Sequence, residues 1–229
     1  MDESQKPPSA APKTELPPPI KPDNVLDSIF RDDGPMPPAQ FGLRALAFLL
    51  DFALIAAVAS ILIWKVALPQ AHPNFGSEYY EYLDASRTWL QSQGFETWND
   101  AMQAMLQVDS PDKPTPSHYL IEGFTYILEL LTFIFWLYFA LGEAIFAGSV
   151  GKRACRLTSV STITLGKPSF FSGIVRGGIK TAALFFFFPF ALMATLAPMW
   201  FNRRRQMGHD LVARTVVVDE KHMHANQLM

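Results

Sequence analysis

The chain has one cysteine, Cys155, in 229 residues, so an intrachain disulfide is excluded. No cysteine–histidine cluster has the spacing of a zinc site. An excess of one charge is also missing. Lys and Arg total 19 against 21 Asp and Glu, and the formal net charge of −2 says little because the composition is segregated along the chain. The N-terminus lacks the basic-then-apolar layout of a cleaved signal peptide, so the first hydrophobic segment is expected to stay in the mature protein. No Ser/His/Asp or Cys/His constellation has usable order. His209-Asp210 is a lone pair without further ligands, and His222 and His224 lie in a polar tail. Gly148-Ser149-Val150-Gly151-Lys152-Arg153 fails as a phosphate loop, which needs four residues between its glycines and Ser/Thr after the Lys. An enzyme, a metal centre and a bound cofactor are therefore not expected.

What is present is apolar length. Stretches at about 43–68, 121–147 and 174–201 each exceed the roughly 20 residues that cross a hydrocarbon core. Residues 131–141 and 182–194 are apolar all round, with no stripe to face water, so a soluble helical protein fits poorly. The expected fold is an all-α polytopic membrane protein of three hydrophobic segments with a small cytoplasmic β element. Trp64 and Trp200, near segment ends, suit interfacial positions. Residues 1–40 hold ten prolines and read as a disordered, Pro-rich tail, and 220–229 as a flexible C-terminal tail. Between the first two segments, 69–120 has room for two short helices. One is expected to be capped by Ser77 with Tyr79, Tyr80, Leu83 and Leu90 on one side. The other is opened by Thr97 with Trp98, Met102, Met105 and Leu106. This insert reads as a cap on the outer membrane face, or more sharply as a partner-docking surface.

Orientation follows from basic residues beside the spans. The 69–120 connection has only Arg87 and Lys113 against seven acids, whereas 148–180 has Lys152, Arg153, Arg156, Lys167, Arg176 and Lys180 and no acid. That puts 69–120 in the periplasm and both 148–173 and the N-terminal tail in the cytoplasm. Three straight spans would carry Arg203-Arg204-Arg205 outside, against this bias. Pro189 and Pro198 bend the third segment, and a re-entrant hairpin would return the chain to the cytoplasm. The β-branched run 212–218 and the extended-looking 156–165 favour the hairpin, because pairing strands must share one side. The basic run reads as an anionic-lipid or topology anchor rather than a nucleic-acid site.

Ionisable residues inside apolar segments are costly and mark partners or watery cavities. Arg44 and Asp51 lie seven residues apart, on one helical face and about 10 Å apart along the axis. Glu143 near the inner end of the second segment is level with Arg44, so an Arg44–Glu143 pair is one arrangement. Arg176 opens the third segment and can reach Asp51 or Glu143. With the C-terminus inside, an Arg44–Asp210 bridge becomes available. Glu129 sits in the outer half of the second segment with no obvious basic partner. Arg44, Asp51, Glu129, Glu143, Arg176 and Asp210 form the candidate set, either as helix glue or as an ion or proton route.

Four motifs in order resemble the RDD family, named for one Arg and two Asp residues. They are Arg44, Ala47 and Asp51; Glu143 followed by Gly148, Gly151, Lys152 and Arg153; Arg176; and Gly208-His209-Asp210 running to Val218. Ser149-Val150 stands where Thr-Pro is common, Arg214 where Gly is common, and the 69–120 insert is longer than the family's usual connection. The resemblance covers about 41–219 and implies a bacterial inner-membrane protein of suspected transport function, with some members linked to cation/proton exchange. A thin three-segment pathway implies a homo-oligomer in contact with membrane lipids. The alternative is a non-transporting adaptor that recruits protein partners through 1–40 and 69–120.

Overall fold

The computed structural model describes residues 25–94, 97–106 and 112–223. In chain order it contains α1 (Val25–Ile29), α2 (Phe41–Ala71, with a π-helical turn at Ile63–Ala67), α3 (Phe75–Ser92), α4 (Trp98–Leu106) and α5 (His118–Phe146). Then follow α6 (Val150–Ala154), β1 (Leu157–Ser161), α7 (Phe170–Phe185), α8 (Phe190–Phe201), α9 (Gly208–Val212) and β2 (Thr215–Asp219). The 1–24 part of the Pro-rich tail, residues 224–229, and the Met105 side chain lie outside this description.

Helices α2 and α5 are each long and apolar enough to cross a membrane. They run antiparallel: Phe48 stacks on Phe139 at 6.2 Å and Phe52 meets Phe135 at 5.6 Å, so residue numbers rise on one as they fall on the other. Ser117 caps α5 by accepting the Leu120 N–H at 3.2 Å. At the end away from the sheet, Ala59, Ile63, Leu68, Phe75 and Leu120 form a buried core. Gly123 makes room there, because a Cβ at this position would collide with the Phe75 ring. The insert helices exist, but with a different inward face. Asn74, not Ser77, precedes α3, and Phe75, Tyr79, Tyr82 and Trp89 turn inward while Tyr80 and Leu83 are exposed. The expectation had the period right and the phase wrong by about one residue. Thr97 does cap the second helix, accepting the Asp100 N–H at 3.2 Å.

At the other end β1 and β2 pair antiparallel, Leu157 opposite Asp219 through Ser161 opposite Thr215. Both strands are shorter than the sequence runs that suggested them. Arg214 enters β2 at φ 51, the left-handed region, which accounts for a glycine being common at this point. The tail expectation is corrected over residues 25–40. Phe30 is fully buried with Met36, Val160, Val216 and Val218, Pro38 bridges to Val218, and the Ala39 N–H donates to Val217 O at 2.9 Å. Proline density suggested disorder there, but Phe30 and Met36 bury enough apolar surface to order the segment, and a proline is tolerated at a sheet edge. Arg204 and Arg205 pair with Asp27 and Asp32 of the same segment at 2.6 and 2.9 Å. The basic run therefore holds this segment, a role missed while it was read as a lipid anchor.

Helix α7 lies against α5 through small residues. Gly173 faces Ala144 and Gly177 faces Ala140, so two small-xxx-small pairs let the backbones approach closely. The chain reaches Phe185, whose ring lies 5.2 Å from Phe135, then turns so that α8 brings Trp200 within 6.5 Å of Phe41. A Cβ on Gly177 would stand 2.7 Å from the Ala140 nitrogen, whereas one on Gly178 would meet the Trp136 ring at an ordinary 3.7 Å. Gly177→Leu is therefore expected to lower stability by about 1–3 kcal/mol through overpacking, while Gly178→Ala is tolerated. Thermal unfolding of the purified protein in detergent reads the contrast, and equal midpoints for the two variants would refute the close approach.

Candidate functional site

The close approach of α5 and α7 sets Glu143 beside Arg176. Both are fully buried, and Arg176 Nη1 donates to Glu143 Oε2 at 2.8 Å. Its other amino group donates to Asp210 Oδ1 at 2.5 Å, so one guanidinium spans the two carboxylates. Lys152 from α6 and Lys180 from α7 both reach Glu143 Oε1, the latter at 2.9 Å. Ser159 of β1 completes this node, accepting from Lys152 and Arg176 and donating to Glu143 Oε2 at 2.8 Å. Arg44 of α2 bridges Asp210 at 3.1 Å and donates to Val217 O at 2.9 Å. The result is one chain of charge, Arg44–Asp210–Arg176–Glu143, that ties α2, α5, α7, α9 and the sheet together.

The arrangement selects among the candidate pairings. Arg44 pairs with Asp210, not Glu143, because Arg176, Lys152 and Lys180 already occupy the Glu143 carboxylate. Asp51 is bound by neither Arg176 nor Arg44. It accepts from the Tyr138 hydroxyl at 2.5 Å, the Gly151 N–H at 2.7 Å and Ser149 Oγ, all neutral donors at the start of α6 or facing it. Gly151 must be small, since a Cβ would overlap Ala47 O and the Asp51 carboxylate. Glu129 does not join the cluster. It is exposed on α5 and lines an open groove with Thr125, Thr132 and Trp136; no side chain among the described residues pairs with it. Sequence reasoning missed Tyr138, Ser149, Lys152 and Ser159 as members. Lys152 was visible within the Gly-Lys-Arg motif; the hydroxyls carried no signal, as Ser and Tyr are ordinary in such positions.

The surroundings set the protonation of the groups at the sheet end. Burial works to raise the Asp210 carboxyl, but Arg176, His209 and Arg44 outweigh it and hold it below the usual range. Burial pushes the His209 imidazole down to about 3, with Asp210 acting the other way, so His209 is neutral near pH 7. Burial first and the neighbouring Arg176 next push the Lys152 ammonium well down, with Glu143 acting the other way. Beside the cluster lies a cavity of about 260 Å³ whose walls are apolar and whose floor includes Arg44, Asp51, Lys152, Arg176, Lys180 and Asp210.

The RDD family model matches residues 38–214, which include every charged member of the cluster, and the chain belongs to this family. Membership and the two long apolar helices support a membrane protein. No curated protein and no solved structure matches the chain.

The pH dependence of stability follows from His209. Its folded pKa lies below the unfolded value of 6.5, so the unfolded state binds more protons between pH 6.5 and about 3. Stability is expected to be level above pH 6.5 and to fall as pH drops through this window, with Asp210 adding a further loss below 3.8. His209→Asn should flatten the slope between pH 6.5 and 4 in thermal unfolding; an unchanged slope would show that His209 is not held neutral.

Proposed function

We propose that the chain is a multi-pass inner-membrane protein with a transport-related function, acting as a homo-oligomer through the cavity beside the charge cluster. The observation that carries this reading is a buried carboxylate at the cavity, Asp51, 2% exposed and bonded by neutral donors, with no cation among the described residues within salt-bridge range. Carboxylates that structure alone requires usually acquire a fixed positive partner, as Glu143 and Asp210 do here; intramembrane carboxylates are recurring members of ion and proton routes. In this reading Asp51 is the proton-carrying group, and the Arg176 node is the frame that positions it. A cation/proton exchange route is the family-based form of the proposal, although the buried Arg44, Lys152 and Arg176 and the part-buried Lys180 at the cavity oppose entry of a bare cation. Asp51→Asn in proteoliposomes should abolish pH-gradient-driven flux at unchanged thermal stability, and unaltered flux would remove Asp51 from the route.

The topology we infer has the N-terminus, the sheet and the C-terminus in the cytoplasm and 69–120 in the periplasm, with 170–201 entering and leaving on one face. Support comes from the basic bias of 148–180, the β1–β2 pairing and the return of Trp200 to Phe41. A reporter fused after Met229 is expected to score as cytoplasmic, and a periplasmic score would sink the hairpin. A second reading, a non-transporting adaptor, is favoured by the exposed Tyr80, Trp98 and Leu106 of the insert, a surface suited to a protein partner.

A further inference from the structure

The cavity has two chemically distinct ends. Phe41, Ala45 and Leu49 of α2 form one apolar wall, and Leu184, Leu192 and Leu196 of α7 and α8 form another. Leu49 is 60% exposed and Phe41 44%, so this end opens to the apolar exterior of the helices and not only inward. The floor is ionic. Counting the charged side chains that line the cavity with Glu143 behind them, Arg44, Lys152, Arg176 and Lys180 stand against Asp51, Glu143 and Asp210, formally one positive charge in excess. His209 at the same floor is neutral and does not alter this balance. The ionic bonds also leave two donors over. Arg44 Nε and Arg176 Nε are buried without a hydrogen-bond partner, in side chains 4% and 0% exposed. A buried, unpaired guanidinium N–H is costly and rare, and an anionic oxygen is its natural complement.

We propose that this cavity binds an anionic amphiphile, with the acyl chain along the Phe41/Leu192 walls and the anionic head on the side of Arg44 and Arg176. The inference rests on the cavity being the functional site, but not on transport. At about 30 Å³ per water, the volume is several times what a bare ion fills, which argues for a ligand with an apolar part. The two unpartnered guanidinium N–H groups call for the oxygens of a phosphodiester or carboxylate head. An apolar wall open to the exterior of α2 and α8 gives such a molecule a lateral path from a bilayer. A zwitterionic head would bring its own cation next to Lys152 and Lys180 and would be disfavoured.

The test is thermal unfolding of the full chain, purified in a neutral detergent, with added phosphatidylglycerol, phosphatidylcholine or inorganic phosphate. Phosphatidylglycerol is expected to raise the midpoint by about 5–10 °C at ~100-fold its Kd, and the other two to leave it within error. Leu192→Trp, which fills the apolar wall without touching the charges, should lose most of this rise while keeping the unliganded midpoint. If Leu192→Trp does not fold, Leu196→Phe serves the same purpose. An equal rise with phosphatidylcholine overturns the anionic head, and an equal rise with phosphate alone overturns the acyl chain. A full phosphatidylglycerol response in a folded wall variant overturns the location. Lipid binding together with an absence of pH-gradient-driven flux from the wild-type protein in proteoliposomes would sink the transport reading alone, so the two failures are distinguishable.

Discussion

Everything at the sheet end depends on one guanidinium. Arg176, fully buried, joins Glu143 of α5 to Asp210 of α9, and through Asp210 it reaches Arg44 on α2. Four elements, of which α5 and α7 already pack closely, are thus fixed at one relative depth. The energetic meaning is specific. A buried ion pair gains little over well-packed apolar residues, but removing one partner leaves an uncompensated buried charge and costs about 3–5 kcal/mol. The network therefore acts less as a source of stability than as a veto on misaligned helix packings. Arg rather than Lys is required at its centre because a planar fork can serve two carboxylates at once. Glycines on either side of it, at 173 and 177, give the fork its place by letting α7 press against α5.

Asp51 has a different character. Its three donors come from Tyr138 and from the start of α6, so it closes a short helix that no residue of its own caps. The first helix, the second helix and the turn that follows it meet at this carboxylate. Neutral donors satisfy this carboxylate, and no countercharge among the described residues is fixed to it.

Much of this was legible in the sequence, for identifiable reasons. The apolar lengths of α2 and α5, the pairing of two β-branched runs, and the participation of Arg44, Glu143 and Arg176 follow from hydropathy, β-branching and the cost of buried charge, while Asp210 entered through the family resemblance and the side inferred for the C-terminus. Both observed pairs, Arg44–Asp210 and Arg176–Glu143, were among the arrangements the sequence allowed, but the choice among them was not legible. Depth along a helix placed Arg44 level with Glu143, but depth says nothing about azimuth, and the azimuth was set by Gly173 and Gly177, whose spacing had carried no weight. Glu129 was misjudged for the same reason: charge in an apolar run suggested burial, yet the face of α5 it occupies is turned outward. The segment 25–40 was misread because proline content averages over a stretch, whereas Phe30 and Met36 act individually.

The spacing of the ion-pair partners along the chain has a temporal side. Arg44 and Asp210 are 166 positions apart, and Arg176 follows Glu143 by 33. A ribosome adding ~5–20 residues per second reaches Asp210 roughly 10–30 s after Arg44. During that interval the first helix carries a charge whose permanent partner has not yet been made. The early helices must therefore be held by something provisional, whether water at the membrane surface or the insertion machinery itself. The last short helix and strand act as the latch that ends this waiting state, so truncation just before Asp210 would strand a nearly complete protein short of its final alignment.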